Sequence, residues 1–266
     1  MPAKVLPVTA DDLVARVFSR SDASSGAKRP EKRPAAGAEK APIGSLPYRL
    51  YVPRDYLQKK RYPLVVVLHG SGERGSDNAK QLVNGVLAFC DPTLQKETPA
   101  FVVYPQCPEG SRWVESDWKA GHYDQSQVPL SGPLSLVVDL VAKLASDFSL
   151  DPDRLLLAGL SMGGYGTWDL VTRFPEKFAG AIAICGGGDP TRAGAAKEIP
   201  IWAFHGSDDE VVPVTGSRGM VEALRKAGGK VKYTEFKGAD HHVWERVFKD
   251  RAVLKWLLAQ HRHAKP

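Results

Sequence analysis

The stretch Leu155-Leu156-Leu157-Ala158-Gly159-Leu160-Ser161-Met162-Gly163-Gly164-Tyr165-Gly166 decides the reading of the chain. Its first four residues are all apolar, the mark of a strand covered on both faces. The G-x-S-x-G that follows is a nucleophile-elbow pattern. It puts a serine at a turn so sharp that the residues two positions away must lack side chains. A serine pushed out of such a turn sits in strained backbone. Residues 165–174 continue as a helix. That helix turns free N–H groups and the positive end of its dipole toward the hydroxyl. Such groups can hold a developing oxyanion. Ser161 is therefore a candidate nucleophile, and the N–H of Met162 a candidate oxyanion donor.

The same alternation of short apolar strands and helical patterns extends outward on both sides. Upstream, Pro63-Leu64-Val65-Val66-Val67-Leu68 is a second buried strand. It runs straight into His69-Gly70-Ser71-Gly72-Glu73-Arg74-Gly75. Residues 46–52 and 101–104 read as further strands closed by Pro53 and Pro105, and 14–18 as an edge strand. Residues 78–89 read as a helix. Residues 133–148 form an amphipathic helix with Pro at its start, where a missing N–H costs nothing. Downstream, 180–185 and 199–204 are strands, and 216–227 is a helix stopped by Gly228-Gly229. Residues 230–236 alternate as a strand, and 244–260 close the chain as one amphipathic helix. This order predicts an α/β fold, a mostly parallel central sheet with helices on both faces.

Residues 21–42, rich in Ser, Gly, Ala, Pro and Lys, read as a flexible insertion. Residues 1–45 are thus an edge strand plus insertion, and 46–266 the body of a single globular domain. The long aperiodic stretch 106–132 holds Trp113 and Trp118. A loop of that length in a compact domain is usually functional or disordered, and two tryptophans argue against disorder.

Bulk properties exclude several classes. The 266 residues suffice for one large core. The net charge of +6 is concentrated in residues 28–33 and in Arg262-His263-Ala264-Lys265. Two terminal clusters are solvated tails rather than a nucleic-acid-binding face, so no nucleic-acid partner is expected. No apolar run reaches transmembrane length. The first twenty residues have no apolar signal-peptide core, which leaves a soluble protein of undetermined compartment. Oligomeric state is not legible. Cys90, Cys107 and Cys185 form no metal-ligand or C-x-x-C pattern, and neither a metal nor a cofactor is expected.

A serine nucleophile needs a base, and the base needs a carboxylate to orient it. Downstream of Ser161, one strand end carries His205-Gly206-Ser207-Asp208-Asp209-Glu210-Val211-Val212-Pro213. The next strand is followed by Gly238-Ala239-Asp240-His241-His242-Val243-Trp244. With Tyr48-Arg49-Leu50-Tyr51-Val52-Pro53, the loop 68–75 and the elbow, these pieces resemble the α/β-hydrolase superfamily. More closely, they resemble its serine esterases of the phospholipase/carboxylesterase and predicted-peptidase group, relatives of the dienelactone hydrolases. The resemblance covers about residues 46–260 and leaves out the insertion. The dienelactone hydrolases use a cysteine nucleophile, so a serine points to ordinary ester chemistry.

The resemblance implies an α/β-hydrolase fold and a triad. Ser161 matches the nucleophile. Asp209 matches the acid through His-Gly-x-x-Asp followed by x-Val-x-Pro, with Asp208 as its neighbouring rival. His241 matches the base, three residues before Trp244, with His242 as its rival. The N–H groups of Met162 and Ser71 match the oxyanion hole. Trp113 and Trp118 are candidate walls of a substrate pocket, packing of the loop onto the core being the alternative. His69 and His205 read as structural. The implied activity is hydrolysis of small-molecule or saccharide-linked carboxylic esters. A prolyl-oligopeptidase-like peptidase and a non-catalytic binding module are the alternatives. The first is disfavoured because 266 residues leave no room for a propeller, the second because all three triad residue types are present in order.

Overall fold

A computed structural model describes residues 8–20 and 44–262 of the chain. The insertion expected at 21–42 lies outside the described residues. The chain folds as an eight-stranded sheet: β1 (Val14–Ser19), β2 (Ser45–Tyr51), β3 (Tyr62–Leu68), β4 (Phe101–Pro105), β5 (Leu150–Leu160), β6 (Gly180–Ile184), β7 (Ile201–Gly206) and β8 (Val231–Phe236). The strand order is β1-β2-β4-β3-β5-β6-β7-β8. Only β2 runs against its neighbours, β1 and β4; every other pairing is parallel. The helices are α1 (Pro92–Glu97), α2 (Gly132–Asp147), α3 (Met162–Arg173), α4 (Thr215–Lys226), α5 (Trp244–Lys249) and α6 (Arg251–Leu258).

The two-residue period of a strand explains why both faces are covered. Leu64, Val66 and Leu68 of β3 and Leu155 and Leu157 of β5 enter one core, with Val137 and Leu140 of α2, Trp168 and Val171 of α3 and Met220 of α4. Val65, Val67, Leu156 and Ala158 enter the other, with Leu94 of α1, Phe248 of α5 and Leu254 of α6. The continuous apolar runs in these strands thus feed two cores at once. This is the expected α/β architecture, with a mostly parallel sheet and helices on both sides. Among the described residues, no helix is long and apolar enough to cross a membrane. Cys90, Cys107 and Cys185 are free, buried thiols.

Two helices differ from expectation. Residues 78–89 are not one helix but two 3-10 turns, Lys80–Leu82 and Val86–Cys90. Asn84 and Gly85 between them take left-handed backbone, at φ 65° and 81°, which a right-handed helix cannot absorb. The closing helix is divided at Asp250, whose backbone is extended and whose carboxylate caps α6 through Ala252 N at 2.8 Å. The strand before the elbow starts earlier than its apolar core, at Leu150, with a register shift against β3 between Tyr62 and Leu64.

The tightest point of the fold is where β5 turns into α3 beside β3. A Cβ on Gly163 would lie 2.1 Å from the Leu68 carbonyl oxygen, and one on Gly159 would lie 2.1 Å from the Gly163 carbonyl oxygen. Both obstacles are backbone and cannot rotate away. Gly163→Ala is expected to lower the unfolding free energy by at least about 3 kcal/mol. Gly72→Ala, whose Cβ would meet nothing within 4 Å, should stay within about 0.5 kcal/mol of the parent. Urea denaturation of the two variants checks this, and equal midpoints would refute the close crossing.

Candidate active site

Ser161 lies between β5 and α3 with φ 53° and ψ −117°, a conformation that non-glycine residues avoid. Its N–H donates to the Ile184 carbonyl at 2.8 Å, so the end of β6 holds the turn. Its side chain is 8% exposed at the carboxyl edge of the sheet. His241, from the loop between β8 and α5, places Nε2 2.9 Å from Ser161 Oγ. Its Nδ1 lies 2.6 Å from Asp209 Oδ2, in the loop after β7. The other carboxylate oxygen, Oδ1, accepts the N–H groups of Val211 and Val212, each at 2.9 Å. These bonds fix the orientation of the ring: a proton on Nδ1 faces the carboxylate and leaves Nε2 to accept from the serine.

The rival residues point elsewhere. Asp208 is exposed and accepts from Ser207 Oγ. His242 is exposed beside Asp240, 3.7 Å from its carboxylate. In each adjacent pair, only the inward member joins the line of hydrogen bonds to Ser161: His241 directly and Asp209 through His241.

Burial by itself would raise the affinity of Asp209 for a proton. Hydrogen bonds from His205, His241 and the Val212 N–H outweigh it and hold the carboxyl well below the usual carboxylate range. The contact from His205 was not anticipated. Its Nε2 lies 3.0 Å from the same Asp209 Oδ2 that faces His241. A carboxylate contact cannot be inferred from a histidine four residues earlier at a strand end, because the intervening turn decides it.

Ser71 opens the short 3-10 turn Ser71–Glu73 beside the nucleophile. A Cβ on Gly70 would lie 3.6 Å from Ser161 Cβ and 2.9 Å from Glu73 Oε2, so this loop packs directly on the elbow. Burial pushes the Glu73 carboxyl up. His69 pins the loop from below. Its Nδ1 donates to the Gly70 carbonyl at 2.6 Å, and its Nε2 accepts from Cys107 N at 2.9 Å. The bond from Cys107 N needs an unprotonated Nε2 and so the neutral ring, and burial pushes His69 down to about 4.

The two tryptophans separate. Trp113 is fully buried, donates its indole N–H to the His69 carbonyl at 3.0 Å and packs edge-on to the His69 ring. With no exposed surface it cannot wall a pocket, so of the two readings packing holds for Trp113, which supports the 68–75 loop. Trp118 is half-buried, with the Arg112 guanidinium 4.6 Å over its ring and its carbonyl accepting from Tyr165 OH at 3.0 Å. The surrounding loop is anchored to α3 by Asp169. One carboxylate oxygen accepts from Tyr123 OH at 2.7 Å and Gln125 Nε2 at 3.0 Å, the other from Arg173 at 2.8 Å.

Cys185, His205 and Asp209 offer atoms within 4.8 Å of one another, a composition that also suits a metal. Hydrogen bonds account for the cluster. The Cys185 thiol donates to the His241 carbonyl at 3.3 Å, and burial pushes that thiol up, away from the thiolate a metal needs. A cleft of about 750 Å³ lined by Leu64, Val137, Phe148 and Leu155 lies at the amino ends of β3 and β5, the wrong end of the sheet for Ser161.

Comparison with known proteins agrees with this fold. The family model described as phospholipase/carboxylesterase matches residues 57–257. The chain belongs to that family. A thermostable esterase of known structure is 37% identical, with a TM-score of 0.79 over 95% of this chain and 64% of its own. Among curated relatives, poly(3-hydroxyalkanoate) depolymerase C of Paucimonas lemoignei is 30% identical over 131 residues, 47% of this chain. A carboxylesterase of Arabidopsis thaliana is 26% identical over 113 residues, 40% of this chain. The chain spans 28% of the length of that depolymerase and 49% of that carboxylesterase.

In this member of the phospholipase/carboxylesterase family, the buried neutral His69 makes stability depend on pH. The unfolded chain takes up a proton near pH 6.5, while the folded one resists until about 4. Stability is therefore lost as pH falls from about 6.5 to about 4, by about 3 kcal/mol from this residue, and no further below that. Urea unfolding of the parent and of His69→Gln at several pH values isolates the effect. The stability gap between them should narrow by that amount on going from pH 7 to pH 4. Parallel pH curves would refute it.

Proposed function

We propose that this chain is a serine carboxylesterase that cleaves small or saccharide-linked carboxylic esters through an acyl-enzyme. The observation that carries the reading is the continuous hydrogen-bonded line from Ser161 Oγ through His241 to Asp209. Ser161 attacks the ester carbonyl as its proton passes to His241 Nε2. Asp209 holds the ring and balances the imidazolium that forms. The oxyanion forms beside the amino end of α3, where the N–H groups of Met162 and Ser71 are the donors in this reading. His241 then returns the proton to the departing alcohol. Water, deprotonated by the same ring, releases the acid and restores Ser161.

Several considerations support ester rather than peptide substrates. The thermostable structure is an esterase. The relatives include a polyester depolymerase and a carboxylesterase. An ester also expels an alkoxide far more readily than a peptide bond expels an amide anion. Trp118, half-buried on a loop anchored to α3, stands as the candidate wall for the acyl or alcohol part.

Initial rates on p-nitrophenyl esters, feruloyl esters, acetylated sugars and aminoacyl anilides test the proposal. Ester turnover with negligible anilide cleavage is expected. Ser161→Ala should lose a factor of about 10³ or more in kcat/KM with its circular dichroism unchanged, and a fluorophosphonate should label Ser161 in the parent. His241→Ala should lose nearly as much, since the two act as a unit, and Asp209→Asn somewhat less. Asp208→Asn and His242→Ala should stay within about tenfold of the parent. Undiminished turnover in Ser161→Ala would overturn the mechanism, and preferred cleavage of anilides would favour the peptidase.

A further inference from the structure

His205 is fully buried at the carboxyl end of β7, and every polar atom of its ring is engaged. Its Nε2 faces two acceptors, Asp209 Oδ2 at 3.0 Å and the Val212 carbonyl at 3.0 Å. A nitrogen between two acceptors must carry a proton. Its Nδ1 lies 2.7 Å from Ser217 Oγ, on the first turn of α4. Ser217 is itself fully buried and reaches the Gly186 carbonyl at 2.9 Å, just beyond β6. The proton on Nε2 is required whichever way the Ser217 hydroxyl turns. Burying an imidazole and a hydroxyl together is unfavourable unless both are fully bonded, and apolar side chains would fill the same volume without that demand.

Asp209 Oδ2 thus receives two ring N–H groups, from His241 at 2.6 Å and from His205 at 3.0 Å, while Oδ1 receives two backbone N–H groups. With four donors the carboxylate has no freedom to rotate about its bond to Cβ. Two of those donors belong to its own turn, so His205 is what ties it to β7 and, through Ser217, to α4 and the loop after β6. We propose that His205 is a positioning residue for the triad: through Nε2 it fixes Asp209 Oδ2 opposite His241 and shares its negative charge. This rests on the proposed roles of Ser161, His241 and Asp209.

The consequence for pH follows from the shared oxygen. The charge that His205 draws upon is charge that His241 does not feel. Without His205, the full carboxylate charge acts on His241 and favours its protonated, inactive form. The rising limb of the kcat/KM profile should then move to higher pH. Other groups around this pair are Glu235 on β8, which pairs in register with His205 and is held by Arg218 of α4 and the Tyr233 hydroxyl. The Cys185 thiol reaches the His241 carbonyl from the end of β6, and the Tyr165 hydroxyl lies on α3.

The test compares His205→Leu, His205→Gln and Ser217→Ala with the parent and with Ser161→Ala on one p-nitrophenyl ester. Circular dichroism and thermal melts report on folding. His205→Leu should lower kcat by a factor on the order of 10², with KM within about threefold. Its rising limb should move up by about 0.5 pH unit. His205→Gln, whose amide N–H can reach the place of Nε2, should recover kcat to within about fivefold of the parent and restore the limb. Ser217→Ala, which frees Nδ1 and loosens the ring, should lower kcat by about threefold with KM unchanged. If His205→Leu does not fold, His205→Gln and Ser217→Ala decide. A folded His205→Leu with the parent's kcat and pH profile overturns the proposal. So do Gln and Leu variants that behave alike, since that would mark a packing role, and a Ser217→Ala with unchanged kcat where Leu does not fold. Retained activity in Ser161→Ala would instead overturn the mechanism on which the proposal rests.

Discussion

The crossing of β3, β5 and α3 at the elbow is closer than any side chain permits, and the rest of the site depends on it. Gly159 and Gly163 let backbone pass against backbone, with the Leu68 and Gly163 carbonyls in the space that methyl groups would need. The turn can close this tightly only if Ser161 adopts its left-handed backbone, at a cost of about 1–3 kcal/mol. The helix behind it outweighs that cost. Every residue from Met162 to Thr172 is buried, and Tyr165, Trp168, Leu170 and Val171 each contribute about 1.5–3 kcal/mol by leaving water. A hydroxyl is thereby held at the edge of the sheet, at the head of a helix, in one orientation. Thr167 Oγ1, donating to the Gly163 carbonyl at 2.9 Å, satisfies one of the groups crowded at the crossing.

The second half of the site is held by polar rather than apolar forces. His205, Asp209, Ser217 and His241 lie on β7, the turn after it, α4 and the loop after β8, and each is less than a tenth exposed. In so dry a setting, an unpaired donor or acceptor would cost more than a well-formed hydrogen bond contributes. The arrangement is stable because its members are bonded in series, from Ser161 Oγ to the Gly186 carbonyl. His69 solves the same problem differently. Its two ring nitrogens join the Gly70 carbonyl to Cys107 N, so one neutral imidazole couples the loop after β3 to the chain after β4.

The architecture was legible because it rests on periodicity. The runs in β3 and β5 have no polar face, and a strand with no polar face needs cover on both sides. The elbow was legible because its glycines are steric necessities. The residues of the proposed triad were singled out by matching short motifs to the resembled family, and the turn after β7 gives one of those motifs a physical reason. Asp209 Oδ1 takes the N–H groups of Val211 and Val212, so the spacing from the aspartate to the valines is itself the turn. What was not legible depends on side chains meeting across the fold. Whether Trp113 walls a pocket or packs onto the core was open, because an aromatic residue in a long loop gives no sign of which way it faces. Its contact to the His69 carbonyl spans 44 residues. His205 looked structural because its partner is set by a turn not yet formed. The expected helix over 78–89 failed locally, where Asn84-Gly85 prefers left-handed backbone to another helical turn.

These observations separate what the sheet does from what the loops do. The proposed nucleophile, acid and base follow β5, β7 and β8, at the carboxyl edge where parallel α/β sheets collect their chemistry. Their relative positions are set by strand register, which cannot slip by one residue without turning a core face outward. The 106–132 stretch is free of that constraint, since it contributes no strand. Its anchors include Asp169 on α3, which binds Tyr123 and Gln125 of the loop, Asp189, which accepts Gln125 N at 2.9 Å, and His69, which takes Trp113 and Cys107. Trp118 hangs from the same helix through Tyr165 OH. The helix that presents Ser161 therefore also positions the loop that would shape its substrate. In the proposed reading, chemistry and selectivity then share one rigid element, while the strand register that places Ser161, Asp209 and His241 does not depend on the loop.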